Sequence, residues 1–241
     1  MLLKDIRDAH YDFKFKLNKI DSENYRNLEV PEIDWMLNDA YNLFVRSYAS
    51  PRTRRKLQEV GFEVNQRNIE DLKNLVVNST DPISSTLLRE KEYVFELPDD
   101  YMIGLSSYVT IIKNACEDTA RLTIRQHDDK FQESYHSKSS FGWRNVNAIY
   151  YEQGIKAFSD VDFSIDNLII NYIKKPEYVH FAEAYSDNGY TLPSGETLTG
   201  FRTFEVSEIV LPEIVDLAVL IATGAIQAPD YQIKQNKLNF N

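Results

Sequence analysis

Residues 3–19 place Leu3, Ile6, His10, Phe13 and Leu17 at helical spacing, with Lys and Asp between them, and this predicts an amphipathic helix. The polar run DSENY breaks the pattern. A second helix is predicted from VPEIDWMLNDAYNLFVRSYA, where Pro31 suits the opening turn. Its broad apolar stripe is Ile33, Met36, Leu37, Ala40, Leu43, Phe44 and Tyr48. SPRTRRKLQEVG predicts a turn and a short helix closed by Gly61, and NIEDLKNLVV a further helical piece.

From about residue 90 the period changes. EYVFELPDDYM predicts a strand that runs into a turn at Pro98, Asp99 and Asp100. YVTII and ARLTIRQ are β-like, and in the second Ala120, Leu122 and Ile124 alternate with Arg121, Thr123 and Arg125. HDDKFQESYHSKSSFG is a polar loop or long hairpin. IKAFSDVDFSIDNLIINYIKKP predicts two or three strands ending at Pro176. AYSDNGYTLPSGETLTGFRTF carries Asn-Gly and Pro-Ser-Gly turns and predicts another hairpin.

The most apolar stretch is EIVLPEIVDLAVLIATGAI, residues 208–226. A membrane-spanning helix needs about 20 largely apolar residues. Here the longest unbroken apolar run is only Leu217 to Ala222, preceded by Pro212, Glu213 and Asp216. Pro212 suits a first helical position, Glu213 favours the positive end of the helix dipole, and Gly224 suits a C-terminal cap. The prediction is a short core helix, residues 212–223, with Ile214, Leu217, Ala218 and Ile221 on one face and Val215, Val219 and Ala222 on a second. The small residues Ala218, Ala222 and Ala225 would let it pack closely against the sheet and pin it to the N-terminal helices.

These elements predict an α+β fold, because the strands are not interleaved with crossover helices. The expected organisation is one domain over residues 1–228, helical at 1–80 and β-rich at 90–206, followed by an extended C-terminal tail at 229–241. In the tail Tyr231 and Ile233, and Leu238 and Phe240, form two pairs at spacing two. An extended segment of that pattern can add to a neighbour's sheet edge.

Composition narrows the function. The chain has 241 residues and a formal net charge of −10, so general binding to nucleic acid or an anionic membrane surface is disfavoured. A single cysteine, Cys116, excludes an internal disulfide, and its neighbours suggest a small, partly buried core residue. The fifteen tyrosines suit contact surfaces, since the ring supplies area while the hydroxyl stays wet. The N-terminal residues carry charges every few positions and do not read as a secretory signal.

No phosphate-cradling GxGxxG or GxxxxGK[ST] loop is present, nor a GxSxG elbow, and no cofactor is expected. His127, Asp128, Asp129 and His136 offer lone pairs to a divalent ion, but their spacing matches no familiar site and fits a solvated loop better. Asp99 and Asp100 suit a turn, where the side chain bonds nearby backbone N–H groups. Arg52, Arg54, Arg55 and Lys56 form a basic cluster able to meet an acidic partner surface, or simply a solvated helix start.

Three motifs occur in a fixed order: FELPDDYM, then NYIKKPEYV, then FEVSEIVLPEIVDLAVLIATGAI. That order resembles the head-to-tail connector, or ring, proteins of tailed bacteriophages, closest to those of crAss-like short-tailed phages. In that family an LP turn follows a strand, a Lys-Pro follows a later strand, and a helix of the form EIVDLAV closes the domain. The matching residues here are Leu97 and Pro98, Lys175 and Pro176, and Glu213 to Val219. VPEIDWMLNDAYNLF also fits, as a helix built around an aromatic; the segment 177–204 does not match.

The resemblance implies a non-enzymatic virion protein at the head–tail junction. Copies would form a ring, a dodecamer, between the portal protein and other ring or tail proteins, with phage DNA passing through the channel without specific binding. On this reading Arg52, Arg54, Arg55, Tyr231, Ile233, Leu238 and Phe240 are candidate interface residues. The rivals are a soluble enzyme, metal-dependent through His127 and His136, and a host-binding tail accessory protein with 177–204 as its contact surface.

Overall fold

The structure, a computed structural model, describes residues 5–18, 28–49, 70–79, 81–89, 91–125, 139–152, 154–159 and 162–225. The fold is α+β, and the chain divides into two compact units: Met1–Leu75 with Pro176–Asn241, and Val76–Lys175. Residues 177–206, which read from sequence as a continuation of the β-rich region, therefore belong to the helical unit.

Among the described residues three helices build the first unit: α1 (Ile6–Asn18), α2 (Val30–Ala49) and α3 (Leu211–Ala225). Asp5 caps α1, its Oδ1 accepting from the Arg7 and Asp8 amides at 2.9 and 3.1 Å. Glu32 reaches back from the first turn of α2 to the Glu29 amide at 2.9 Å, half of a capping box. α3 packs on both α1 and α2. Together the three form a helix-on-helix core, in which Ala9, Ala40, Ala218 and Ala222 are fully buried. Lys16 of α1 ties the pair together, bridging Asp12 and Asp216 at 2.6 and 2.7 Å.

Two details of the helical pattern differ from expectation. On α2 the buried stripe runs through Ile33, Leu37, Ala40, Tyr41, Phe44 and Val45, while Leu43 is exposed together with Trp35. On α3 the buried apolar residues are Leu211, Ile214, Val215, Ala218, Val219 and Ala222, whereas Leu217 and Ile221 are half-buried. α3 also starts one residue earlier than predicted and runs through Gly224.

The second unit is a nine-stranded sheet, β1 (Val76–Asn78), β2 (Ile83–Ser84), β3 (Thr86–Arg89), β4 (Glu92–Glu96), β5 (Tyr101–Lys113), β6 (Cys116–Ile124), β7 (Asn145–Tyr151), β8 (Gly154–Phe158) and β9 (Ser164–Lys174). Val76 and Val77, predicted as helical, instead open β1, where β-branched residues fit a pleated surface. The strand order is β1-β9-β5-β6-β7-β8-β4-β3, with β2 also on β9; every pair is antiparallel except β6 with β7.

Residues 83–89 close this sheet on itself. Ile83 and Ser84 pair with Leu168 and Asn167 of β9, and Thr86 and Leu87 pair with Val94 and Tyr93 of β4. Ser85 sits at the crossing, its amide on the Asp166 carbonyl at 2.9 Å and its hydroxyl on the Ile165 carbonyl at 3.0 Å. One bent run thus joins the two ends of the strand order, and the result is a barrel, which leaves few open edges. Its interior is filled by Phe95, Val109, Ile111, Leu122, Ile155 and Ile170 among others. β5 and β6 meet at a two-residue turn, Asn114-Ala115, both at positive φ as a type I′ hairpin demands. Cys116 opens β6 at that tip and is exposed, not a core residue as expected.

The segment 177–204 folds onto the helical unit as two small ladders, β10 (His180–Phe181) with β13 (Phe201–Arg202) and β11 (Tyr190–Thr191) with β12 (Thr197–Leu198). The second is the predicted hairpin. Gly189, at φ +70°, precedes it where any Cβ would run into the Leu198 carbonyl.

Because Ile214 is fully buried and Leu217 is not, Ile214→Ala is expected to cost about 2–5 kcal/mol and Leu217→Ala distinctly less. Urea denaturation of the two variants checks this; equal losses would show that the helical core is misassigned.

Candidate functional site

Two polar residues, Asp34 and Asn38, lie one turn apart inside the apolar stripe of α2, and both are buried. A carboxylate in that position is costly unless each oxygen meets donors. His10 of α1 donates through Nε2 to Asp34 Oδ1 at 2.7 Å, and Tyr190 donates its hydroxyl to Oδ2 at 2.7 Å. The Phe181 amide reaches both oxygens, at 3.2 and 3.1 Å. Asn38 completes the set: its amide group donates to the Val179 carbonyl at 2.7 Å, and its oxygen accepts from the Val179 amide at 2.9 Å.

This cluster fastens α1 and residues 178–190 to α2. Around it the His10 ring packs edge-on against Phe181 at 5.5 Å, and Arg7 lies over Phe201 at 4.7 Å while pairing with Glu183 at 2.6 Å. With both oxygens engaged by protein donors, the arrangement serves as a latch. The helical spacing of the sequence marks His10 but not Asp34. The available signal was a pair of polar residues at i, i+4 within an apolar face.

In the sheet unit, the LPDD turn and the end of β9 meet at Asp100. The turn itself is closed by the Tyr101 amide on the Pro98 carbonyl at 2.9 Å, as the sequence predicted. Asp100 Oδ1 accepts the Tyr172 hydroxyl at 2.8 Å, and the Asp100 carbonyl accepts the Lys175 amide at 2.6 Å. Two of the three motifs are therefore tied to each other. Burial, with the Asp100 hydrogen bond added to it, pushes the Tyr172 phenol up to about 12.

A seam opens beside this turn. The β5–β6 ladder ends at Tyr108↔Arg121, although β5 extends back to Tyr101 and β6 forward to Ile124. A bulge between Gly104 and Ser106 bends β5 at that point. The gap holds a cavity of about 280 Å³ lined by Ser106, Ser107, Tyr108, Arg121, Ile124 and Tyr150 among others. The Tyr101 and Tyr150 hydroxyls meet at 3.1 Å, and a Cβ on Gly104 would stand 2.8 Å from the Tyr101 oxygen, so glycine leaves that phenol room.

The helical unit carries exposed apolar side chains: Tyr11 on α1, and Trp35 and Leu43 two turns apart on α2. Arg52, Arg54, Arg55, Lys56, the His127, Asp128, Asp129 and His136 set, and Tyr231, Ile233, Leu238 and Phe240 lie outside the described residues. Among the described residues no three His, Cys, Asp or Glu side chains gather as metal ligands. No helix among them is long and apolar enough to cross a membrane. No protein-family model matches the chain, and no curated protein matches it.

Removing the Asp34 carboxylate strands several buried donors at once, so Asp34→Ala is expected to cost about 3 kcal/mol or more. A urea midpoint within the range of surface substitutions would contradict the latch. Burial, and then the bond to Asp34, holds the Tyr190 phenol neutral well above its ordinary range; burial does the same for Tyr41 and also raises Tyr178. Above about pH 10 the unfolded chain releases phenol protons that the folded state keeps. Stability should therefore hold from about pH 7 to about pH 9 and fall as pH rises beyond about 10, less steeply in Tyr190→Phe. Urea midpoints across that range check the sign.

Proposed function

We propose that this chain is a structural subunit of a phage head-to-tail connector, assembling as a ring between the portal protein and the tail. The observation that carries the reading is the position of the three ordered motifs. Leu97-Pro98 turns the chain after a strand, Lys175-Pro176 ends a later strand, and Glu213–Val219 lies in the helix that closes the helical unit. This order is what the ring-protein resemblance implies, and it supports the reading.

Two physical features support it. A ring needs a heterologous interface, with one patch on each subunit meeting a different patch on the next. Tyr11, Trp35 and Leu43 supply exposed apolar area of the kind that marks such contacts. The net charge of −10 suits a conduit, because an acidic surface repels phosphate and lets DNA pass without holding it.

Sedimentation velocity of the purified chain, alone and with portal protein, is expected to show a species many times 28.1 kDa. Trp35→Glu, on an exposed helix face, should reduce that species at unchanged circular dichroism. A chain that stays monomeric alone and with portal and tail partners would sink the reading.

A further inference from the structure

We propose that the seam between β5 and β6 is a docking slot for the C-terminal segment of a second copy, entered as an added strand by residues 230–233. This deepens the ring reading and rests on it for the identity of the donor. Those residues lie outside the described ones.

The slot has the chemistry of an incomplete ladder. On β6, Arg121 and Arg125 direct their amides to the Arg144 and Ala148 carbonyls on the β7 side, both at 2.8 Å. Alternation then turns the main-chain groups of Leu122 and Ile124 toward β5. On β5, Val109 pairs with Ala120, so Ser107 faces the same way. Beyond Tyr108↔Arg121 the ladder gives these groups no further cross-strand pairing, and the cavity occupies the gap.

Side chains around the slot divide by face. Leu122 and Ile124 belong to the barrel interior, whereas Arg121 and Tyr108 are exposed on the outer face. A strand inserted here must be apolar on one side and polar on the other, ideally with an acid facing Arg121, which has no carboxylate partner among the described residues. Asp230-Tyr231-Gln232-Ile233 has that pattern: Tyr231 and Ile233 would face inward, and Asp230 and Gln232 outward. The five residue steps from Ala225 to Asp230 span about 17 Å when extended, so the donor copy's α3 must end beside the recipient's slot.

Amide hydrogen exchange on the full-length protein tests this. Raising the protein concentration should slow exchange at Ser107, Leu122 and Ile124 by about tenfold or more. The full-length double variant Tyr231→Ala/Ile233→Ala should lose that protection, and excess synthetic peptide of residues 226–241 should restore it. Arg121→Glu should weaken the restoration. Exchange unchanged by concentration, by the tail variant and by the peptide overturns the proposal. Tail-dependent protection that ignores concentration also overturns it, since the donor would then be the same chain.

The assembly mass, measured on the same samples, separates the two readings. A large oligomer with unaltered exchange removes the slot and leaves the ring. Peptide protection without self-association keeps the slot's affinity for the segment but overturns its use by a second copy, together with the ring.

Discussion

The helical unit depends on one buried carboxylate. An uncompensated charge inside an apolar bundle costs several kcal/mol, so Asp34 restricts which arrangements of its surroundings are allowed. Its oxygens collect a ring nitrogen from α1, a main-chain amide from β10 and a phenol from β11. Those donors come from residues 10, 181 and 190, widely spaced in the chain, and only their convergence on α2 makes burial tolerable. The three helices supply most of the apolar burial; Asp34 and Asn38 determine which segment may lie against them.

The sheet unit is held by a different constraint, the closure of its own hydrogen bonding. Residues 83–89 satisfy both ends of the strand order and turn an open sheet into a barrel. The entry strand β1 pairs with the exit strand β9, Val76 against Ile173, so the chain enters and leaves the unit at neighbouring points. That is the condition for inserting one compact unit into the sequence of another, and it explains how the helical unit can draw on both ends of the chain. The Asp100 bonds to Tyr172 and Lys175 fasten the turn after β4 to the same exit.

Much of this was legible in the sequence, and the gaps have physical causes. Long amphipathic stretches such as α1 and α2, and turn signals such as Pro98-Asp99-Asp100 and Pro193-Ser194-Gly195, are local, and they matched. Leu43 was misassigned because a wide apolar stripe does not reveal which of its margins faces the core. Cys116 was misplaced because an Asn-Ala turn hides a hairpin that Asn-Gly would have announced. The Asp34 cluster and the closure of the barrel onto β9 are products of long-range pairing, and no window of sequence contains both partners; the β5–β6 seam lies within one hairpin, but the bulge that opens it is set by pairing with β9. The interface candidates at Arg52, Arg54, Arg55 and in the C-terminal segment lie outside the described residues.

On the proposed reading this α+β chain works by assembly. Electron microscopy of the purified protein, with class averages in the presence of portal protein, is the most direct measurement. The account predicts a closed ring of identical subunits around an open axial channel, coaxial with the portal. Single particles of one subunit's size, unaltered by portal or tail proteins, would contradict it.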